Sequence, residues 1–245
     1  MKRGSCPLIT ATNLVKTYKR ETVLNHVSLS VQQGSATCVI GPNGSGKSTL
    51  LGILSGLLRA DSGEVLFQGK PLAGQNALLR QIGFVPQQDS LFADLTVRDN
   101  LSFWAAAAHS SLARGLAIPA VAALGVKDML RKPVEKLSGG MRRRTAIAAA
   151  LLADPRLLIL DEPFTGLDLS FKQELAQQLL LLKQGGITIL YTSHNADEIL
   201  PLSDTVCLLN GGRVALQASS ESLPQDQGDL TQYLLLLIRG ENAKI

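Results

Sequence analysis

Ala36-Thr-Cys-Val-Ile40 runs straight into Gly41-Pro42-Asn43-Gly44-Ser45-Gly46-Lys47-Ser48-Thr49, and the reading of the whole chain turns on this stretch. The first five residues have the β-branched, mostly apolar character of a buried strand. The next eight match G-x-x-x-x-G-K-[ST]. Behind them Leu50, Leu51, Ile53, Leu54, Leu57 and Leu58 recur at three- and four-residue steps, which predicts a helix with all six on one face. Glycines at 41, 44 and 46 let the backbone curl until successive N–H groups point inward at phosphate oxygens. The helix N-terminus behind the loop adds its partial positive charge. Lys47 is expected to reach the β- and γ-phosphates and the Ser48 hydroxyl to hold Mg²⁺, with Pro42, Asn43, Ser45 and Thr49 completing the cradle. A charge pair near 4 Å at an effective dielectric of ~20 is worth about 4 kcal/mol before desolvation, so Lys47 should be the most costly single loss for nucleotide binding.

Outward from the loop, short strands are predicted at Leu8–Leu14, Val23–Val31, Glu64–Gln68 and Ile82–Pro86. From about Leu91 to Leu152 the chain turns Ala- and Leu-rich with helical periodicity. Apolar runs return at Leu157–Leu160, Ile187–Thr192 and Thr205–Leu209, and Gly211–Gly212 turns into Arg213–Leu216. Uniformly apolar strands alternating with helices imply an α/β fold whose largely parallel sheet is covered on both faces, interrupted by a helical subdomain. The Leu234–Ile238 run is read as a helix packed on the core. Arg156-Leu-Leu-Ile-Leu160-Asp161-Glu162 is a buried strand ending in two carboxylates, where ligands bind in such sheets. Asp161 is the candidate for holding Mg²⁺, and Glu162 the candidate base for an attacking water.

Between these sites lies Leu137-Ser138-Gly139-Gly140-Met141, whose Ser and two glycines open a helix and so form a second anion site. With these residues the chain resembles the ATP-binding-cassette ATPases from about Leu8 to Leu216. The resemblance implies an α/β P-loop NTPase core with a mostly parallel sheet, a small antiparallel β subdomain and an inserted α-helical subdomain. The core is placed at 8–87 and 153–220, the helical subdomain at 88–152 and a short extension at 221–245. It also implies roles in family order. Tyr18 stacks on adenine, and Gln87 links the metal site to the partner subunit and joins Ser48 and Asp161 as a metal ligand. Asp168, in Thr165-Gly-Leu-Asp168, belongs to the loop that contacts the opposing subunit, and His194 meets the γ-phosphate. In the family each ATP lies between the phosphate loop of one subunit and the signature of the other. Met141 stands where the commonest pattern has Gln; it cannot make a polar contact to ribose, so the site omits it. Leu-Ser-Gly-Gly-Met followed by basic residues resembles cassettes of two-component exporters.

Composition narrows the field. The 245 residues are 45% hydrophobic and 18% charged, enough for a sizeable core and unlike a disordered chain. A net charge of +4 and 4% aromatics give no footprint for nucleic acid. Cys6, Cys38 and Cys207 are scattered and odd in number, which reads as reduced, packed thiols. No run reaches the ~20 apolar residues of a membrane span. Arg142-Arg143-Arg144 is read as a solvated face, with proximity to membrane phosphates as the sharper alternative. His26 and His109 are read as surface or filler residues.

Three functions compete: the motor of a membrane transporter, a soluble cassette acting on nucleic acid or ribosomes, and a nucleotide-dependent regulator without turnover. Gln87 and Ser138 are 51 residues apart, which leaves no room for the coiled-coil insertion of DNA-repair cassettes. One phosphate loop argues against the fused pairs that act on ribosomes, and the presence of Glu162 and His194 against a regulator. The expectation is therefore an ATPase subunit of a transporter, exporting rather than importing, held at the cytoplasmic face of the cell membrane. It would dimerise with a second, identical cassette around two Mg-ATP and drive separate transmembrane permease subunits, with no nucleic-acid partner.

Overall fold

The computed structural model describes residues 7–88, 90–195 and 198–239. β1 (Pro7–Tyr18), β2 (Glu21–Gln32) and β3 (Ala36–Ile40) lead into α1 (Lys47–Leu54). β4 (Ser62–Phe67), β5 (Lys70–Pro71), α2 (Asn76–Leu79) and β6 (Ile82–Val85) follow. The middle of the chain holds α3 (Val97–Ala107), α4 (Leu112–Leu116), α5 (Pro119–Ala122) and α6 (Gly139–Leu151). β7 (Leu157–Leu160), α7 (Leu169–Gln184), β8 (Thr188–Ser193), β9 (Thr205–Asn210), β10 (Arg213–Ser219) and α8 (Gln227–Arg239) complete the order.

Two sheets form. The larger runs β10-β9-β3-β8-β7-β6, parallel from β9 to β6 with β10 antiparallel at its edge; the smaller, β2-β1-β4-β5, is antiparallel. Every residue of β3, β7 and β8 is buried, which is why these strands read as unbroken apolar runs. The two-residue period still sorts their side chains. Cys38, Leu158, Leu160, Ile189 and Tyr191 face a core shared with α6 and α7, while Val39, Leu157, Ile159 and Leu190 face one shared with α1 and the antiparallel sheet. Register then fixes the working edge. Ile40 pairs with Ser193, Tyr191 with Leu160, and Leu160 with Val85. The loops leaving β3, β8, β7 and β6 therefore emerge side by side from one end of the sheet.

Some expectations change. The helix after the phosphate loop stops at Leu54, because Gly56 takes a left-handed φ of 79°. Leu57 is consequently 66% exposed, and Leu58 folds back over Gly52, so neither joins the buried face of α1. The Ala- and Leu-rich stretch is cut by the Ser111 cap, Pro119 and Gly125 into short helices, and only α3 and α6 exceed two turns. Leu230 and Leu234 of α8 are buried against the core. Cys38 and Cys207 are free and buried, and burial pushes the Cys207 thiol up to about 12 and Cys38 higher still, so both are inert near neutral pH. Cys6 lies outside the described residues. His26 and His109 are exposed, His109 within 3.2 Å of Arg80.

Candidate functional site

The loop between β3 and α1 is a cradle of backbone. A Cβ at Gly41 would lie 2.1 Å from the Leu209 carbonyl oxygen, and Gly46 sits at φ 101° against Val23 and Leu24, so neither position admits a side chain. Leu50 is the first amide of α1 with a helical acceptor, Gly46 O at 2.9 Å, which leaves the preceding amides for a ligand. The Ser45 hydroxyl is buried with no hydrogen-bond partner. Lys47 is buried too, and its Nζ donates to the carbonyls of Gly41 (2.8 Å) and Pro42 (3.2 Å). Burial lowers its pKa, opposed by the carboxylates of Glu162 and Asp161. An orphaned hydroxyl, free amides and an ammonium resting on weak neutral acceptors form a site that phosphate oxygens would complete. Ser48 is exposed and Thr49 half-buried beside them.

Along the same sheet edge β7 delivers two carboxylates into different surroundings. Asp161 is buried and accepts from the Thr192 hydroxyl at 2.7 Å. That hydroxyl in turn accepts the Glu162 N–H at 2.7 Å, so one threonine fixes both acids. Glu162 takes a left-handed φ of 46°, uncommon for a residue with a side chain. The turn aims its carboxylate at three neighbours. Gln87 Nε2 donates to Oε2 at 2.9 Å, the Thr165 hydroxyl at 3.1 Å, and His194 Nδ1 lies 3.7 Å away. Three loops, spanning 107 residues from Gln87 to His194, thus meet at one carboxylate, and each brings a residue singled out from the sequence. Thr165 and Thr192 are additions; each flanks a predicted residue, which was the available signal.

The signature segment departs furthest from expectation. Ser138 caps α6, its Oγ accepting the Met141 N–H at 3.3 Å, and Ser138 and Gly139 are exposed as an anion site requires. Gly140 is buried instead, and a Cβ there would meet the Phe171 ring at 2.2 Å, so it lets α6 and α7 pack closely. The arginine run is not a solvated face. Arg143 is 6% exposed and donates to the carbonyls of Pro86 (3.0 Å), Gln87 (3.2 Å) and Glu162 (3.3 Å); Arg144 pairs with Glu174 at 2.9 Å. The signal for Arg143 was periodicity: Gly140, Arg143, Ile147 and Leu151 recur on one buried face of α6. Asp168 caps α7 by accepting the Phe171 N–H at 3.0 Å. Tyr18 ends β1 at 44% exposure, with Lys16 Nζ 5.5 Å above its ring.

No cluster of three or more His, Cys, Asp or Glu suited to a metal occurs among the described residues. Ser48, Gln87 and Asp161 offer a hydroxyl, an amide oxygen and a carboxylate. Such a hard, all-oxygen and incomplete set fits Mg²⁺, which keeps waters and shares phosphate oxygens.

A family model described as ABC transporter matches residues 24–165. The Nod factor export ATP-binding protein I of Burkholderia orbicola is 36% identical over 218 residues, covering 88% of this chain and 72% of its own. The sulfate/thiosulfate import ATP-binding protein CysA of Xanthomonas campestris is 36% identical over 217 residues, covering 84% of this chain and 62% of its own. Among solved structures, a dimeric bacterial ABC transporter cassette superposes with a TM-score of 0.77 at 27% identity, covering 86% of this chain and 98% of that one.

Proposed function

The chain belongs to the ABC transporter family as an ATP-binding subunit, and such subunits are ATPases; from that premise we propose that it is the motor of an exporter. Two copies close on two Mg-ATP molecules and drive separate transmembrane permease subunits. One observation carries the catalytic part: Gln87, Thr165 and His194 converge on the Glu162 carboxylate, at the sheet edge that also holds Lys47. Phosphoryl transfer asks little covalent chemistry of a protein and much positioning and charge neutralisation. Glu162 orients and deprotonates the attacking water, Lys47 and His194 hold the γ-phosphate oxygens, and Gln87 registers whether they are there. Tyr18 and the loop 41–49 seat the nucleotide. Mg²⁺, held by Ser48, Asp161 and Gln87, would neutralise charge on the phosphates.

Dimerisation follows from having two anion sites in one chain. The cradle at 41–48 takes one ATP, and Ser138 and Gly139, at the head of α6, take the γ-phosphate of the ATP on the other copy, beside Asp168. The dimeric solved relative supports the pairing of two copies. The relatives include proteins named for export and for import, so export rests on the Leu-Ser-Gly-Gly-Met signature. No helix among the described residues is long and apolar enough to cross a membrane. Its permease would hold the chain at the cytoplasmic face. In this reading the permease docks on the helical subdomain around Gln88 to Leu124. Phe92, Leu95 and Phe103 are exposed there, and the buried Asn100 amide grips both the N–H (2.8 Å) and the carbonyl (3.0 Å) of Phe92. A pull-down of the purified chain with detergent-extracted membranes tests the motor reading. Recovery of a polytopic membrane protein, lost on F103D, supports it; recovery of ribosomes or DNA instead sinks it.

A further inference from the structure

Glu162 sits at the centre of the site in a backbone conformation that needs holding, and the structure holds it from both sides. Its N–H is taken by the Thr192 hydroxyl at 2.7 Å, and its carbonyl by Arg143 Nη2 at 3.3 Å. The same guanidinium grips the carbonyls of Pro86 and Gln87, where the chain leaves β6 for the helical stretch. Arg143 lies one turn into α6, whose first residues, Gly139 and Gly140, follow the Ser138 cap. A planar fork fixes several acceptors relative to one another in a way a point charge cannot. Its burial makes those bonds costly to leave unmade.

We propose that Arg143 is a positioning residue that couples the seating of α6 on a phosphate to the placement of Glu162 and Gln87. The coupling rests on the reading of Glu162 as the residue that activates water. α6 carries the anion site at its head and the guanidinium one turn on, so a rigid shift of the helix carries both. When the helix seats against a γ-phosphate, the fork sets the Glu162 carbonyl, and with it the direction of the carboxylate. When the helix is withdrawn, the carbonyls of Gln87 and Glu162 are released together. Nucleotide can then bind the loop at 41–48 without being cleaved.

The test is steady-state ATPase kinetics of R143A and R143K, with a fluorescent ATP analogue titrated separately to read affinity. R143A should lower kcat by about 30-fold or more while KM and analogue affinity stay within about 3-fold, since the carbonyls it grips, Pro86, Gln87 and Glu162, lie outside the loop at 41–48. R143K should recover only part of kcat, and it carries the same test should R143A fail to fold. In an E162Q background, R143A should lower the residual turnover by much less than it lowers that of the wild type, because most of its effect passes through the Glu162 carboxylate. A kcat for R143A within 3-fold of wild type, R143K at full wild-type kcat, or a full additional drop in the E162Q background would each overturn the clamp. E162Q turning over like wild type is the separate failure: it removes the base that the clamp serves and overturns both readings.

Discussion

The phosphate cradle at 41–48 and the signature segment at 138–144 both place a helix N-terminus where an anion could sit, yet they are built on opposite principles. In the cradle the backbone does the binding, and glycines stand where the chain must curl or where a Cβ would strike Leu209 or Val23. In the signature segment only Ser138 and Gly139 remain open, while Gly140 packs on Phe171 and Arg143 turns inward to main-chain carbonyls of β6 and β7 loops. The first region is a receptor; the second is a receptor joined to a lever. A site made of local backbone can be read from a motif, whereas a site made of contacts between distant segments cannot.

Removing function from each region should separate the two designs. E162Q, at the far end of the lever, should lower turnover by roughly 10²–10⁴-fold while ATP still binds; phosphate release and analogue titration measure the two arms. K47A strikes the receptor and should weaken ATP binding on the order of 10²–10³-fold, read by the same titration; a loss confined to kcat would blur the contrast. G140L forces a branched side chain against the Phe171 ring and should destabilise by about 1–3 kcal/mol in thermal denaturation, with G139A costing clearly less. Equal costs at both glycines would mean that Gly140 serves the anion and not the packing.

The smallest effect lies outside both regions. Asp61 accepts from Lys16 Nζ at 2.8 Å and from the Thr17 N–H at 2.7 Å, and these bonds hold its carboxyl below the usual carboxylate pKa. A depressed folded-state pKa adds stability above the unfolded value, and that stability is lost as pH falls through the folded one. D61N should therefore flatten the acid limb of the stability–pH curve slightly and leave neutral ATPase activity alone. An unchanged acid limb would mean that the exposed pair contributes nothing.

Much of this was legible beforehand. The uniform apolar strands and the glycine loop gave the parallel sheet, and the carboxylates and His194 could be set at strand ends because parallel strands share one functional edge, whereas Gln87 came from the family resemblance. What stayed hidden has physical reasons. Leu57 and Leu58 continue the helical period but lie past Gly56, whose left-handed turn ends α1. Three consecutive arginines look solvated because charge normally is, yet the period set by Gly140, Ile147 and Leu151 puts Arg143 alone on the buried face. Its acceptors are carbonyls, which no residue type announces. Thr192 was likewise hidden, for a hydroxyl that bridges two acids looks like an ordinary strand residue.

The central claim is that the open loop of one copy and the α6 cap of another grip the same nucleotide. Light scattering of the E162Q chain at saturating Mg-ATP tests it most directly. The expected particle has twice the 26.1 kDa chain mass and falls back to single chains when ATP is replaced by ADP. Single chains under both conditions would contradict it.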